Sequence, residues 1–309
     1  MGAVPLRLKL KEFAKKNKVN IILVLVLLVG LSLIAYPTFS DWWNSFHQTR
    51  AIAAYSEIVA NMDKQDFDRM WADAEAYNES LRSKSNRFVM TDEEREEYNR
   101  ILDVTGTGIM GYIDIPKIKV SLPIYHGMDE SVLQIAIGHI EGTSLPVGGI
   151  GTHSAVSGHR GLPSAKLFTD LDKMQKGDTF LLQMLDRTLT YEVDQIRIVL
   201  PEEMQDLEID PEQDYCTLIT CTPYGVNTHR LLVRGHRIAN ANADAIDVTA
   251  DAMQFKPYIV APLVAAPILL ILLIMLLITT SSRFRGRKEI TKEQAHDAVE
   301  NMIDRNNKG

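Results

Sequence analysis

A thiol and a guanidinium bracket one short, turn-rich stretch of this chain. Cys221 closes the β-branched run Tyr215-Cys216-Thr217-Leu218-Ile219-Thr220-Cys221, and Arg230 opens the apolar run that ends at Ile238. Between them lie Thr222-Pro223-Tyr224-Gly225-Val226-Asn227-Thr228-His229, which hold the Pro, Gly and Asn of a hairpin loop. Residues that bracket such a loop oppose each other across the two strands, so Cys221 and Arg230 are expected side by side at an open end of a sheet. A permanent cation there favours thiolate over thiol and can donate hydrogen bonds to a developing oxyanion. The chemistry this implies is nucleophilic acyl transfer through sulfur.

The chain has only two cysteines. Cys216 and Cys221 are five apart on one predicted strand, which puts them on opposite faces and about 16 Å apart. A disulfide tolerates a Cα separation of only about 7 Å, so the pair is not bridged, and the same geometry opposes a shared metal site. Cys216 is expected to be buried as a small hydrophobe.

A cysteine nucleophile needs a proton donor for its leaving group, and histidine suits that task near neutral pH. Eight are present. His47 falls in a helical region, His296 near the basic C-terminal end, and His126 and His139 in loop-like settings. His159 stands in Ser157-Gly158-His159-Arg160-Gly161-Leu162-Pro163, at the end of a short strand where glycines allow close backbone approach. Spacing alone leaves His153, His229 and His236 open beside it.

Other motifs point nowhere. Gly149-Ile150-Gly151 lacks the third glycine of a dinucleotide loop, and Asn78-Glu79-Ser80 is an N-glycosylation triplet short enough to arise by chance. No His-Glu-x-x-His, phosphate loop or Gly-x-Ser-x-Gly occurs. The residues that can be placed require no metal and no organic cofactor.

The elements that must position these groups fall into two patterns. From Asp41 to about Leu102 apolar residues recur at helical spacing, as in Phe67, Met70, Trp71, Ala74, Tyr77 and Leu81, and Thr91 before three acids reads as an N-cap. From Gly106 the pattern changes to short alternating runs. Strands are predicted near Ile109–Ile115, Val120–Ile124, Ser154–Gly158, Thr179–Met184, Thr188–Val199, Tyr215–Cys221 and Arg230–Ile238, with short helices at Ser131–Ile140 and Ser164–Met174. Many short strands with brief helices predict a mainly β, closed or nearly closed barrel rich in antiparallel pairs.

The ends of the chain are of another kind. Residues 19–40 and 257–282 form uncharged stretches of 22 and 26 residues, each long enough at about 1.5 Å per residue to cross a bilayer core roughly 30 Å thick. Lys and Arg crowd the outer flank of both, which predicts two membrane helices, both termini in the cytoplasm and the middle of the chain outside. The predicted layout is a cytoplasmic segment 1–18, a membrane helix 19–39, a helical region 40–105, a barrel 106–240, a linker 241–257, a second membrane helix 258–280 and a cytoplasmic tail 281–309. The net charge of −7 divides unevenly, with 20 basic and 34 acidic residues between Asp41 and Lys256. So acidic an outer region argues against nucleic acid, while the basic ends suit anionic membrane lipid.

Taken together, Thr217-Leu218-Ile219-Thr220-Cys221-Thr222-Pro223 and Arg230-Leu231-Leu232-Val233-Arg234-Gly235 resemble the signature of the sortases, cell-surface cysteine transpeptidases of Gram-positive bacteria. Class C, the pilus-assembly group, is the nearer resemblance. It is carried by Ile115-Pro116-Lys117-Ile118, Leu122-Pro123-Ile124-Tyr125-His126-Gly127, the stretch Gly138 to Gly149, Gly158-His159-Arg160-Gly161-Leu162-Pro163 and the second membrane segment. The resemblance implies an eight-stranded β-barrel, Cys221 as nucleophile, His159 as general acid and base, and Arg230 as the group that steadies substrate and oxyanion. It also implies cleavage of a Leu-Pro-x-Thr-Gly-like sorting signal through a thioacyl enzyme, with a lysine of the next pilin as acceptor. A sortase that anchors proteins to cell-wall peptide, or a silent pilus scaffold, would share much of this sequence. Class C enzymes often carry a lid with an Asp-Pro-aromatic motif. Ser80 to Glu94 has no Asp-Pro, so the sequence leaves open whether a lid covers the site, with Phe88 and Asp92 as the candidates to fill it.

Overall fold

The computed structural model describes residues 17–240. Residues 36–240 belong to one compact unit and residues 17–35 to another.

Helix α1 (Lys18–Ala60) begins in the apolar run and continues through Pro37 into the second unit, so the boundary expected near residue 39 is not a helix end. Its most apolar window has mean hydropathy 2.7 and no buried residues, the pattern of a helix long and apolar enough to cross a membrane. In its last turns, polar side chains pin it to the barrel. Tyr55 is buried, donates to Met110 O (2.9 Å) and accepts from Leu185 N (2.8 Å). Helix α2 (Lys64–Arg82) starts at Asp63, whose carboxylate accepts from Asp66 N, and buries Trp71, Ala74, Tyr77 and Leu81, the predicted stripe. Asn78 lies on the same side. Its amide donates to Leu145 O and accepts from Leu145 N, and it is buried, so the glycosylation triplet is closed to modification. Helix α3 (Asp92–Arg100) opens with a reciprocal capping box between Thr91 and Glu94, and buries Tyr98.

Eight strands close a barrel: β1 (Ile109–Ile115), β2 (Val120–His126), β3 (Ile137–His139), β4 (Thr152–Ser157), β5 (Thr179–Met184), β6 (Arg187–Val199), β7 (Asp214–Thr222) and β8 (His229–Ile238). The spatial order is β1-β2-β3-β4-β7-β8-β6-β5. Six of the eight ladders are antiparallel, while β2–β3 and β4–β7 are parallel. Parallel neighbours need a crossover; the short helix α4 (Glu130–Leu133) lies on the first, and β5 and β6 lie on the second. Inside, Phe180 stacks on Tyr191 at 5.5 Å. A side chain at Gly235 would meet the Phe180 ring at 2.7 Å, so a glycine is required there.

One predicted helix forms only at its start and the other does not form. Ser131–Ile140 contains α4 and then β3, because Ala136, Ile137, Gly138 and His139 are all buried, whereas a surface helix would bury one face only. The glycine makes this strand possible, since a Cβ at Gly138 would lie 2.1 Å from Gly127 O. Ser164–Met174 is a run of turns with one 3-10 turn at Leu171–Lys173. Ala165, Leu167, Phe168, Leu171 and Met174 are buried, so the segment seals the core with turns in place of an α-helix. The predicted linker, second membrane helix and tail lie outside the described residues.

Candidate active site

Cys221 and Arg230 are register partners in the β7–β8 ladder, as the hairpin reading expects. The connecting turn is held by Val226 N and Asn227 N, both donating to Pro223 O, and takes positive φ at Gly225 and Asn227. Both Cys221 and Arg230 are half-buried. Arg230 Nη1 donates to Asn227 O (3.2 Å) and His229 O (3.1 Å), which anchors one arm of the guanidinium to the loop. Neither Nε nor Nη2 bonds to another described residue. Cys216 is fully buried on the opposite face, and burial pushes its thiol strongly up. Both cysteines are free.

His159 arrives on the other neighbour of β7. The parallel β4–β7 register runs to Ser157 opposite Ile219. The next rung is made by Gly158 N donating to Ile219 O (3.1 Å), while Thr220 Oγ1 donates to Gly158 O (2.7 Å). Carried one residue further, this register sets His159 level with Cys221. Strand alternation puts Cys221 and Arg230 on one face, outside the barrel, and the same alternation extended past the end of β4 carries His159 to that face beside Cys221. Contacts lower on the same face confirm the alternation: His153 meets Thr217, and Arg234 lies 4.0 Å over the Tyr215 ring. The Nε2 atom of His159 is shielded from solvent and has no hydrogen-bond partner among the described residues. A buried imidazole nitrogen left unpaired is unusual.

Below these three residues the same face carries a separate apolar cluster of Ala155, Val199, Leu207, Ile219 and Leu232. Phe88 packs against it, whereas Asp92 is exposed at the start of α3. Of the two lid-region candidates, Phe88 is the one that packs on this face. Its neighbour Arg87 clamps the segment: it donates to Leu207 O (2.7 Å), lies 4.8 Å over the Phe88 ring and pairs with Glu208 (3.6 Å). Gly142 makes room, since a Cβ there would lie 2.3 Å from Arg87 O.

The other histidines have structural surroundings. His153 is buried, donates from Nδ1 to Glu208 O and accepts at Nε2 from Thr217, and burial pushes its pKa down to about 4. His126 and His139 are not in loops but on β2 and β3, both buried. His139 donates from Nε2 to Ser144 O and accepts at Nδ1 from Tyr98, and burial pushes its pKa down to about 3. The His229 ring hydrogen-bonds to Thr228 Oγ1, and His236 sits further down β8, opposite Tyr215.

Two supporting residues escape a reading by spacing. Thr220, inside the core, ties β7 to the backbone before His159. Arg160 donates to Thr222 Oγ1 (3.3 Å) and pairs with Asp172, so it buckles the histidine loop to the residue after Cys221. Only the tertiary pairing of β4 with β7 reveals either role.

The Sortase domain family matches residues 113–238. The chain is similar to sortase C1 from Streptococcus agalactiae, with 54% identity over 62% of this chain and 99% of that one and a TM-score of 0.61. It is also similar to sortase C from Streptococcus pneumoniae, at 45% identity over 62% of this chain and 97% of that one, TM-score 0.56. A more distant relative is sortase A from Bacillus anthracis, 26% identical over 72% of this chain and 95% of its own length. The chain belongs to the sortase family of cysteine transpeptidases, and its structural neighbours are the class C enzymes.

Proposed function

We propose that this sortase is held in the membrane by α1 and by the apolar segment 258–280, and that it joins pilin subunits outside the cell. The thiolate of Cys221 attacks the carbonyl carbon of the Thr–Gly amide in a Leu-Pro-x-Thr-Gly-like sorting signal. Arg230 offers its unanchored donors to the oxyanion, and the imidazolium of His159 gives its proton to the departing amine. The product is a thioester on Cys221. A lysine amine of the next pilin then displaces the sulfur, leaving an isopeptide bond and a free enzyme, with the amine proton returned to His159.

The observation that carries this reading is the Cys221–Arg230 rung, with the His159 loop bonded to the adjacent edge of β7. The assignment to pilins is supported by the likeness to the Streptococcus pneumoniae sortase C, whose structure is described in connection with pilin substrate specificity, and to the sortase C1 of a Streptococcus agalactiae pilus island. The full chain in detergent, given candidate pilins, is expected to form covalent ladders. Product with a cell-wall stem-peptide amine, and none with pilins under the same conditions, would replace this function with protein anchoring.

A further inference from the structure

The turns of α1 that follow its apolar run meet the barrel with their polar side. A helix packed on a globular core normally turns apolar residues inward. Here Trp42, Trp43 and Phe46 are exposed, while Asp41, Asn44 and Gln48, at helical spacings of three and four, bond to backbone groups of the barrel unit. Gln48 donates to Ile135 O (2.6 Å). The other two bonds converge on one tripeptide. Asn44 Nδ2 donates to Ser164 O (2.8 Å), and Lys166 N donates to Asp41 Oδ1 (2.8 Å), one on each side of the buried Ala165. That tripeptide belongs to the loop that carries His159. Phe168 N donates to His159 O (3.1 Å) and closes residues 159–168 into a ring, with Gly161 N donating to Thr169 Oγ1 (3.0 Å) beside the closure. His159 is at one end of this ring and Ser164-Ala165-Lys166 is near its middle. Leu167 and Phe168 are buried and fix the far side, whereas residues 160–163, which lead away from His159, are half-buried or exposed. Asn44 grips the first residue after that stretch.

We infer that Asp41 and Asn44 are positioning residues for His159, so that the anchor helix is part of the catalytic device. The inference rests on the transpeptidase reading, in which His159 gives a proton to the departing amine. Residues 19–40 carry no charge, and Asp41 is the first charged side chain after them. Each side chain matches the backbone group it meets, a carboxylate accepting from an N–H and an amide donating to a C=O. A general acid must hold its proton within hydrogen-bond reach of the leaving nitrogen, and small displacements are costly. Neither Asp41 nor Asn44 touches the reacting atoms; both act through the backbone of the ring. Cys221 and Arg230 are fixed separately, by the β7–β8 ladder. The proton-transfer step is therefore the one that senses the two α1 residues.

The test uses the full chain in detergent and two substrates of one sequence, a Leu-Pro-x-Thr-Gly peptide and a Leu-Pro-x-Thr thioester of mercaptoacetate. With either, the Cys221 thiolate bonds to the threonine carbonyl carbon. In the amide the C–N bond breaks and the amine takes the His159 proton; in the thioester the C–S bond breaks and a thiolate leaves unprotonated. Asn44→Asp replaces the donor at nearly constant shape, and Asp41→Ala removes the acceptor. Each should slow first-turnover release of the amine by about tenfold, the effect of one hydrogen bond on the docked population of the loop. Release of mercaptoacetate should keep its rate, a split that a folding defect does not produce. Asp41→Asn retains an acceptor oxygen and should recover the rate lost in Asp41→Ala. Amine release at the unaltered rate in both Asn44→Asp and Asp41→Ala, or equal slowing of the two substrates, overturns the positioning role. Amine release at the unaltered rate in His159→Ala would instead overturn the role of His159 itself, so the two failures are told apart.

Discussion

Cys221 and Arg230 face each other directly across the β7–β8 ladder, with Val199 on the far side of Arg230 in the β6–β8 ladder. The guanidinium is therefore fixed by backbone pairing on both sides of its strand, and its arm by two loop carbonyls. A group so restrained can meet a developing negative charge without reorganising, which is where electrostatic catalysis gains most.

This makes Arg230→Lys an informative change. Lysine keeps the charge but not the planar fork that spans loop and oxyanion. The kcat/KM for sorting-signal cleavage is expected to fall by about 10²–10³-fold, with the melting temperature little altered. Near-normal turnover would show that charge alone suffices.

Thr220→Val tests the tie between β7 and the histidine loop. It leaves Gly158 O without its hydroxyl donor at nearly constant volume, a loss of about 1–3 kcal/mol for a buried group. Thermal unfolding should shift down by a few degrees, and kcat should fall more than KM changes, because His159 follows Gly158 in the chain. An unchanged kcat would mean that the loop is positioned without this bond.

Phe88→Ala tests whether the segment before α3 shields Cys221. Removing the ring gives up packing against Ala155, Val199, Leu207, Ile219 and Leu232, which at roughly 1.5 kcal/mol corresponds to about a tenfold rise in the open population. Alkylation of Cys221 by a small thiol reagent should accelerate by that factor, with Cys216 silent because it is fully buried. Unaltered alkylation would make Phe88 a packing residue only.

Stability should fall in mild acid. His139 and His153 are held neutral by burial, with pKa values pushed from 6.5 down to about 3 and about 4. Between these values and 6.5 the unfolded chain binds more protons than the folded one. The contribution of each is thus complete above pH 6.5 and declines as pH drops, by up to about 1.4 kcal/mol per pH unit. Denaturant unfolding at pH 7.5, 6.0 and 5.0 should show this decline, and His153→Gln should flatten it. A profile flat from 7.5 to 5.0 would contradict it.

Much of this was legible in the sequence because it depended on local pattern. The alternation of Tyr215–Cys221 and Arg230–Ile238 gave two strands, and the loop between them set their register, so the Cys221–Arg230 pair followed. The stripe on α2 and the Thr91 cap were equally local. What was not legible depended on partners distant in sequence. Strand β3 is three residues long and fully buried, so it has no period to read, and its existence depends on Gly138 lying against Gly127. His126 and His139 read as loop residues because their burial comes from Tyr98 and the carbonyls of Ile101 and Ser144. Spacing could not choose His159 over His153. The difference lies in the parallel β4–β7 register, which sets one level with Cys221 and buries the other against Thr217 and Glu208.

The most direct test of the central claim is an intact-mass measurement of the full chain in detergent after mixing with a Leu-Pro-x-Thr-Gly peptide. The account predicts an added mass equal to the peptide up to its threonine, mapped to Cys221, removed by hydroxylamine and absent in Cys221→Ala. An adduct on another residue, or product formation that persists in Cys221→Ala, would contradict it.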